Sequence, residues 1–279
     1  MITRPSLLLA GAAALLLSAA PAQAVIFLVD PSNVASPGTS PNFASGASQP
    51  YPVASTDLWN SGSDSAFGSG VYADGTPATG VTIVTDSLAA VAGNPNAFEY
   101  NFTASPETHA AAQANMGGVF QTNPTNTSMF GNATALGYGG VAMKITGLPS
   151  GTYDLYLVAA YTGATAGTRP GAANAAQQNV WAFSQASGIT TLASGSYGTA
   201  NDLLENGTNA SWVQGNNYSK ITVTIDAANP DLIIIAEGIA GGTETRGWLS
   251  SVQIIPEPSS FLLAAAGALG LISRRRRAA

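Results

Sequence analysis

Between positions 220 and 226 the chain reads Lys220-Ile221-Thr222-Val223-Thr224-Ile225-Asp226, apolar and polar side chains in strict alternation. A period of two places Ile221, Val223 and Ile225 on one face, as a strand with one dry and one wet side requires. Six residues on, Leu232-Ile233-Ile234-Ile235-Ala236 is continuously apolar and mostly β-branched, the pattern of an interior strand. Asn229-Pro230-Asp231 between them is a turn signal, so a hairpin is predicted. Two more strands, 141–145 and 153–161, flank Gly147-Leu148-Pro149-Ser150-Gly151. Others are predicted at 25–29, 81–85, 98–103, 180–183, 189–192 and 248–255. Sustained 3.6-residue periodicity is absent, and 110–116 admits one short helical turn. Glycine (31) and proline (16) make up about a sixth of the 279 residues, while charged residues are 9%. The expectation is an all-β chain folded as a single β-sandwich of Greek-key or jelly-roll type. Residues 35–80, poor in aliphatics, form either a long irregular arm wrapping it or a partly mobile one. A second loop-rich stretch, 163–178, lies between strand candidates.

Charge and composition exclude several classes of function. Residues 25–255 keep only Lys144, Arg169, Lys220 and Arg246 against 14 carboxylates, a net of −10. Such a body offers no footprint for a phosphate backbone, so nucleic acid is not an expected partner. It is repelled by anionic lipid and acidic polysaccharide unless divalent cations bridge the two. With no cysteine and one histidine, disulfides, Cys-ligated zinc, cysteine nucleophiles and multi-His metal sites are all excluded.

The amino end has the form of a secretion signal, residues 1–24. Arg4 supplies a positive start, and 7–17 is an apolar run too short to span a bilayer. Ala22-Gln23-Ala24 then offers the small residues, Ala22 and Ala24, that a signal peptidase site needs. Cleavage after Ala24 is expected, with the Sec machinery and signal peptidase as partners. The alternative is an uncleaved anchor or a buried helix.

At the carboxyl end, Pro256-Glu257-Pro258 precedes a mostly apolar segment, 259–273, and then Arg274, Arg275, Arg276 and Arg277. The prolines stop the preceding strand and hold Glu257 extended. The twelve-residue apolar run 261–272 covers only about 18 Å of a hydrocarbon core of roughly 30 Å. Snorkelling arginines narrow that gap without closing it, so the short transmembrane helix is a marginal anchor. The arginines belong on the cytoplasmic side. Tripeptide, apolar segment and arginine cluster together resemble the PEP-CTERM sorting signal over 256–279. The resemblance implies an exported bacterial protein with an outer membrane in its envelope. Its processing partner is an exosortase, a membrane-embedded cysteine transpeptidase-like enzyme. It also implies transient anchoring in the inner membrane, release or attachment at the cell surface, and exopolysaccharide as a neighbour. The alternative is a buried terminal helix with a solvated basic tail.

Two further segments resemble galactose-binding-like sandwiches of secreted proteins: 145–157, around the Gly147–Gly151 turn, and 247–255, as a last strand returning to the core. Fold alone does not license sugar binding.

Candidate chemistry is sparse. His109 sits in a polar turn with no nucleophile elbow near it in sequence, and reads as a surface residue. Asp57 with Asn60, Ser63 and Asp64, and Asp202 with Asn201, Glu205 and Asn206, are oxygen-rich loops that admit calcium. Asp57, Asp64, Asp202 and Glu205 are its candidate ligands, yet ordinary Asx-turns account for both clusters. Structural calcium is the one cofactor these loops admit. Glu205, Glu237 and Glu244 supply carboxylates, without a defined glycosidase pair. Trp59, Trp181, Trp212 and Trp248, with nine tyrosines, suit sugar stacking where exposed, and Trp181 and Trp248 are expected in the core. Six Asn-x-Ser/Thr sequons read as composition in a bacterium. The expected function is an exported, surface-sorted structural or adhesive component of the envelope or extracellular matrix, with no catalytic activity. A carbohydrate-binding module is the alternative, and a secreted hydrolase a more distant one.

Overall fold

In the computed structural model, the described residues are 26–31, 38–41, 49–54, 56–63, 66–67, 70–87, 89–91, 94–101, 109–112, 119, 127–130, 139–159, 177–193, 198–204, 210–239 and 247–257. The expected signal segment, the apolar run and the arginine cluster lie outside them. The first strands are β1 (Phe27–Pro31), β2 (Gly38–Pro41), β3 (Leu58–Ser63), β4 (Ala66–Phe67), β5 (Thr82–Ser87) and β6 (Ala89–Val91). Then come β7 (Asn94–Asn101), β8 (His109–Ala112), β9 (Thr127–Phe130), β10 (Gly140–Thr146), β11 (Gly151–Val158) and β12 (Gln178–Gln185). The last are β13 (Thr191–Ala193), β14 (Asp202–Leu204), β15 (Ser219–Ile225), β16 (Asp231–Gly238), β17 (Trp248–Leu249) and β18 (Ser251–Pro256).

Two large sheets face each other. One runs β15-β11-β18-β1-β3-β2 with β4 on β3, and the other β14-β12-β16-β10-β5. Strands β10, β11, β12, β15, β16 and β18 belong to the two sheets by turns, a jelly-roll winding. The described residues therefore form an all-β sandwich. Between the sheets, alternate residues interdigitate: Val141, Met143 and Ile145 of β10, Leu155 and Leu157 of β11, Ile221, Val223 and Ile225 of β15, Leu232 and Ile234 of β16. Each such side chain contributes about 1.5–3 kcal/mol by leaving water. A smaller sheet, β17-β9-β8, adds Met129 and Leu249 to this core.

The hairpin expected between the alternating and the continuously apolar strands does not form. β15 pairs with β11, whereas β16 lies between β10 and β12 in the opposite sheet. All eight residues of β16 are buried, which needs neighbours on both edges and cover on both faces. Its outward Ile233 and Ile235 are covered by Trp181, Phe183 and Leu192. β15 buries every second residue and sits at a sheet edge. The turn residues are real, since Asp226 Oδ1 accepts from the N–H groups of Ala228 and Asn229 at 2.9 and 2.8 Å. They carry the chain across the roughly 10 Å between sheets instead of folding it back.

Gly147 starts the equivalent crossing from β10 to β11. Its φ is +78°, and a Cβ there would lie 2.1 Å from the carbonyl oxygen of Gly80. Tyr153 Oη closes the crossing by donating to the Pro149 carbonyl at 2.6 Å.

Two other expectations change. Residues 109–112 form β8, paired with β9, within the stretch 110–116 whose sequence admitted a short helical turn; 113–116 lie outside the described residues. Four residues gain more from a ready sheet edge than from an isolated helical turn. The arm 35–80 is not wholly irregular: β3 runs parallel to β1, with Val29 opposite Asn60, and buries Trp59 completely. Asn60 fixes it, its Nδ2 donating to the Leu28 and Val71 carbonyls and its Oδ1 accepting from Val71 N, each at 2.8 Å.

Candidate functional site

The outer face of the β15-β11-β18 group gathers the polar and aromatic side chains that the core excludes. On β11, inward Tyr153, Leu155 and Leu157 alternate with outward Thr152, Asp154 and Tyr156. In register across the pairing, Tyr156 lies between Lys220 and Gln253, and Asp154 between Thr222 and Ile255. Opposed residues on neighbouring strands share a face, so these six side chains make two adjacent rows.

Aromatic rings run through the first row. Tyr156 meets Tyr51 at 5.3 Å between centroids and stacks on Tyr218 at 6.1 Å and 23°. Tyr218 in turn meets Trp212 edge-on at 6.3 Å. Gln253 holds Tyr51 by its backbone, accepting from its N–H at 3.1 Å and donating to its carbonyl at 2.9 Å. Asn217, fully buried, ties the 211–218 turn that carries Trp212, donating to Ser211 O and accepting from Val213 N. All four rings are half-buried. Lys220 Nζ lies 5.6 Å from the Tyr156 centroid.

Polar contacts tie the second row to the first. Lys220 Nζ sits 2.7 Å from Asp154 Oδ2, and Thr222 Oγ1 donates to Asp154 Oδ1 at 2.8 Å. Burial pushes the Asp154 carboxyl up, but these two hydrogen bonds and the Lys220 charge outweigh it and hold the group below its ordinary value. Asp154 correspondingly raises Lys220. Burial raises the Tyr156 phenol. A row of flat apolar rings beside a fixed ion pair is chemically suited to a ligand with both C–H faces and hydroxyl groups.

Of the four calcium candidates, the structure describes Asp57 and Asp202. Asp57 Oδ2 accepts from Ala54 N at 2.7 Å in an exposed turn before β3. Asp202 opens β14 in the other sheet, its Oδ1 accepting from Leu203 N at 2.9 Å. Asp64 and Glu205 lie outside the described residues. Among the described residues no three His, Asp or Glu side chains are grouped to hold a metal. His109 is in β8, Glu237 is buried in β16, and Glu244 lies outside the described residues. Trp181 and Trp248 are in the core, as is Trp59. The strip residues Tyr51, Asp154, Tyr156, Tyr218 and Lys220 were not singled out in sequence. The alternation Asp154-Leu155-Tyr156-Leu157 gives their outward face, but nothing local predicts that β11 pairs with β15.

At the end of this surface the chain reaches its tripeptide. Pro256 is the last residue of β18, opposite Tyr153, and Glu257 N–H donates to the Thr152 carbonyl at 2.9 Å. Pro258, Arg274, Arg275, Arg276 and Arg277, like Ala22 and Ala24, lie outside the described residues. Residues 255–277 match the PEP-CTERM protein-sorting motif. The chain carries a PEP-CTERM sorting motif. The motif marks it for export and exosortase-mediated sorting to the cell surface. No curated protein matches the chain. Among solved structures it is similar to a family 35 carbohydrate binding module from Clostridium thermocellum, at 12% identity and a TM-score of 0.32, covering 63% of this chain and 99% of that one. It is also similar to CBM35 from Paenibacillus barcinonensis, at 13% identity and a TM-score of 0.28, covering 57% and 98%. A third is the K1 cleaved adhesin domain of Lys-gingipain from Porphyromonas gingivalis W83, at 12% identity and a TM-score of 0.29, covering 63% and 99%. The PEP-CTERM match begins at Ile255, inside β18, so body and motif share a strand.

Proposed function

We propose that this PEP-CTERM protein is a passenger delivered to the cell surface, where its sandwich serves as a non-catalytic structural or adhesive component of the envelope or polysaccharide matrix. Residues 1–24 are its signal peptide, 25–255 its body, and 256–279 a sorting tail that anchors it briefly in the inner membrane before an exosortase acts. The observation that carries this reading is the motif at 255–277, joined directly to an acidic β-sandwich. The test is the mass and location of the mature protein. Recovery from the surface without residues 1–24 and without the arginine cluster is expected; surface material that keeps the whole tail would overturn it.

A second reading, a carbohydrate-binding module, is favoured by the Tyr51–Tyr156–Tyr218–Trp212 strip. Rings of this kind stack on the C–H faces of sugars while neighbouring polar groups take the hydroxyls. Titration of the mature protein against neutral and acidic glycans separates the two readings. Binding that Tyr156→Ala weakens at least tenfold supports the module, and flat titrations across the panel leave a passive matrix component.

A further inference from the structure

In this chain the sorting motif does not hang from the body on a linker. Pro256 is paired in β18 and the Glu257 N–H is spent on Thr152. β1 runs antiparallel to β18 with Phe27 opposite Ile254, so the chain enters and leaves the sheet at one end. From Glu257 to Phe261, where the apolar run begins, is four residues, at most about 14 Å fully extended. A body tethered so closely keeps that end against the membrane.

The described turns at this end are 79–81, 147–150, 186–190 and 226–230, placed there by the registers Thr82–Thr146, Gly151–Ile225 and Gln185–Asp231. They contain Asp226 and an exposed Ile189, and no lysine or arginine. These described turns thus offer no cation to anionic headgroups, and on the anchoring read above the short spacing to the apolar run is what keeps this end near the membrane. A processing enzyme must take the tripeptide as an extended segment in its own cleft. A backbone already paired with β11 cannot be in that cleft at the same time.

We propose that this end of the sandwich is the face that meets the exosortase, and that the enzyme takes the tripeptide only after Pro256 and Glu257 have lifted off β11. The proposal rests on exosortase processing as read above, and the sheet acts as a latch on it. Its strength is set by the pairing of Tyr153 with Pro256 and of Thr152 with Glu257.

The experiment follows tail removal from the full chain by pulse-chase in cells that contain the exosortase. A five-residue Gly/Ser insertion between Ile255 and Pro256 frees the tripeptide from the sheet and is expected to speed removal at least threefold. The opposite arm locks the strand. Asp154 and Ile255 are directly opposed, within the Cα spacing a disulfide needs, and the chain has no cysteine of its own. Asp154→Cys with Ile255→Cys is expected to slow removal at least fivefold under oxidising conditions relative to the same double variant kept reduced, and to recover with reductant. Glu257→Ala reports on the underlying reading: a tail removed equally well without that carboxylate overturns exosortase recognition itself. If Glu257→Ala blocks removal but the insertion fails to speed it and the oxidised pair is cut as fast as the parent, the latch is wrong and the processing reading stands.

Discussion

Lys220 Nζ reaches Asp154 Oδ2 diagonally across the β15–β11 pair at 2.7 Å, and the same carboxylate takes the Thr222 hydroxyl on its other oxygen. The pair stands between the tyrosine strip and Glu257 of the sorting motif, whose side chain hydrogen-bonds Asp154. Asp154 keeps 17% of its side-chain exposure and Lys220 35%, so solvent screens their attraction. Asp154→Asn is accordingly expected to cost no more than about 1 kcal/mol in urea unfolding. The sign with pH follows from the lowered carboxyl. Its contribution is complete above the ordinary aspartate value of 3.8 and is lost as pH falls through the lower folded value. Acid unfolding curves of parent and Asp154→Asn should therefore converge below that range, and added salt should narrow their gap at pH 7.

How much of this was legible in sequence divides along a physical line. Strand existence was, because Ile221, Val223 and Ile225 alternate with threonines and a dry face demands a partner sheet. Strand partnership was not. The same alternation suits a hairpin with residues 232–236 as well as the observed β11 edge, and the choice is made by burial of both faces of β16. The sorting motif was legible because its parts are contiguous. The tyrosine strip was not, because Tyr51, Tyr156 and Tyr218 come from three distant segments whose meeting depends on register.

Asn60 locks the parallel β1–β3 contact with one amide, which satisfies two carbonyls and one N–H in a buried setting. Asn60→Ala leaves those three backbone groups unpaired, and a loss of about 2–4 kcal/mol is expected. Asn60→Asp should be worse than alanine at neutral pH, since it turns an acceptor toward the Leu28 and Val71 carbonyls. Urea denaturation of the two variants side by side checks the order. Equal losses would mean that the side chain merely fills space.

Gly147 and Gly188 both have positive φ, at +78° and +84°, but only Gly147 has backbone where a Cβ would go. At Gly188 nothing lies within 4 Å, so Gly188→Ala carries only the left-handed penalty of about 1–2 kcal/mol. Gly147→Ala carries that penalty and must also displace Gly80, so its cost should exceed that of Gly188→Ala by at least about 2 kcal/mol. Thermal melts of both variants distinguish them, and the difference measures how rigidly the β10–β11 crossing is held against the 79–81 turn.

Tyr153 points into the core from β11 while its hydroxyl reaches the Pro149 carbonyl at 2.6 Å. Burial, with a smaller push from Tyr72, raises its phenol to about 12. A raised folded value means that the folded protein keeps the proton longer than the unfolded chain. The resulting stability is complete below the ordinary value of 10.0 and falls as pH rises from there through about 12. Tyr153→Phe removes the ionisable group together with one hydrogen bond, which costs about 0.5–1.5 kcal/mol at pH 7. Between pH 10 and 12 the parent should lose stability faster than the variant, so the two curves close on one another. Urea midpoints taken across that range give the measurement. Parallel curves would show that Tyr153 does not resist ionisation in the fold, and would remove the hydroxyl from the account of how the crossing before β11 is held.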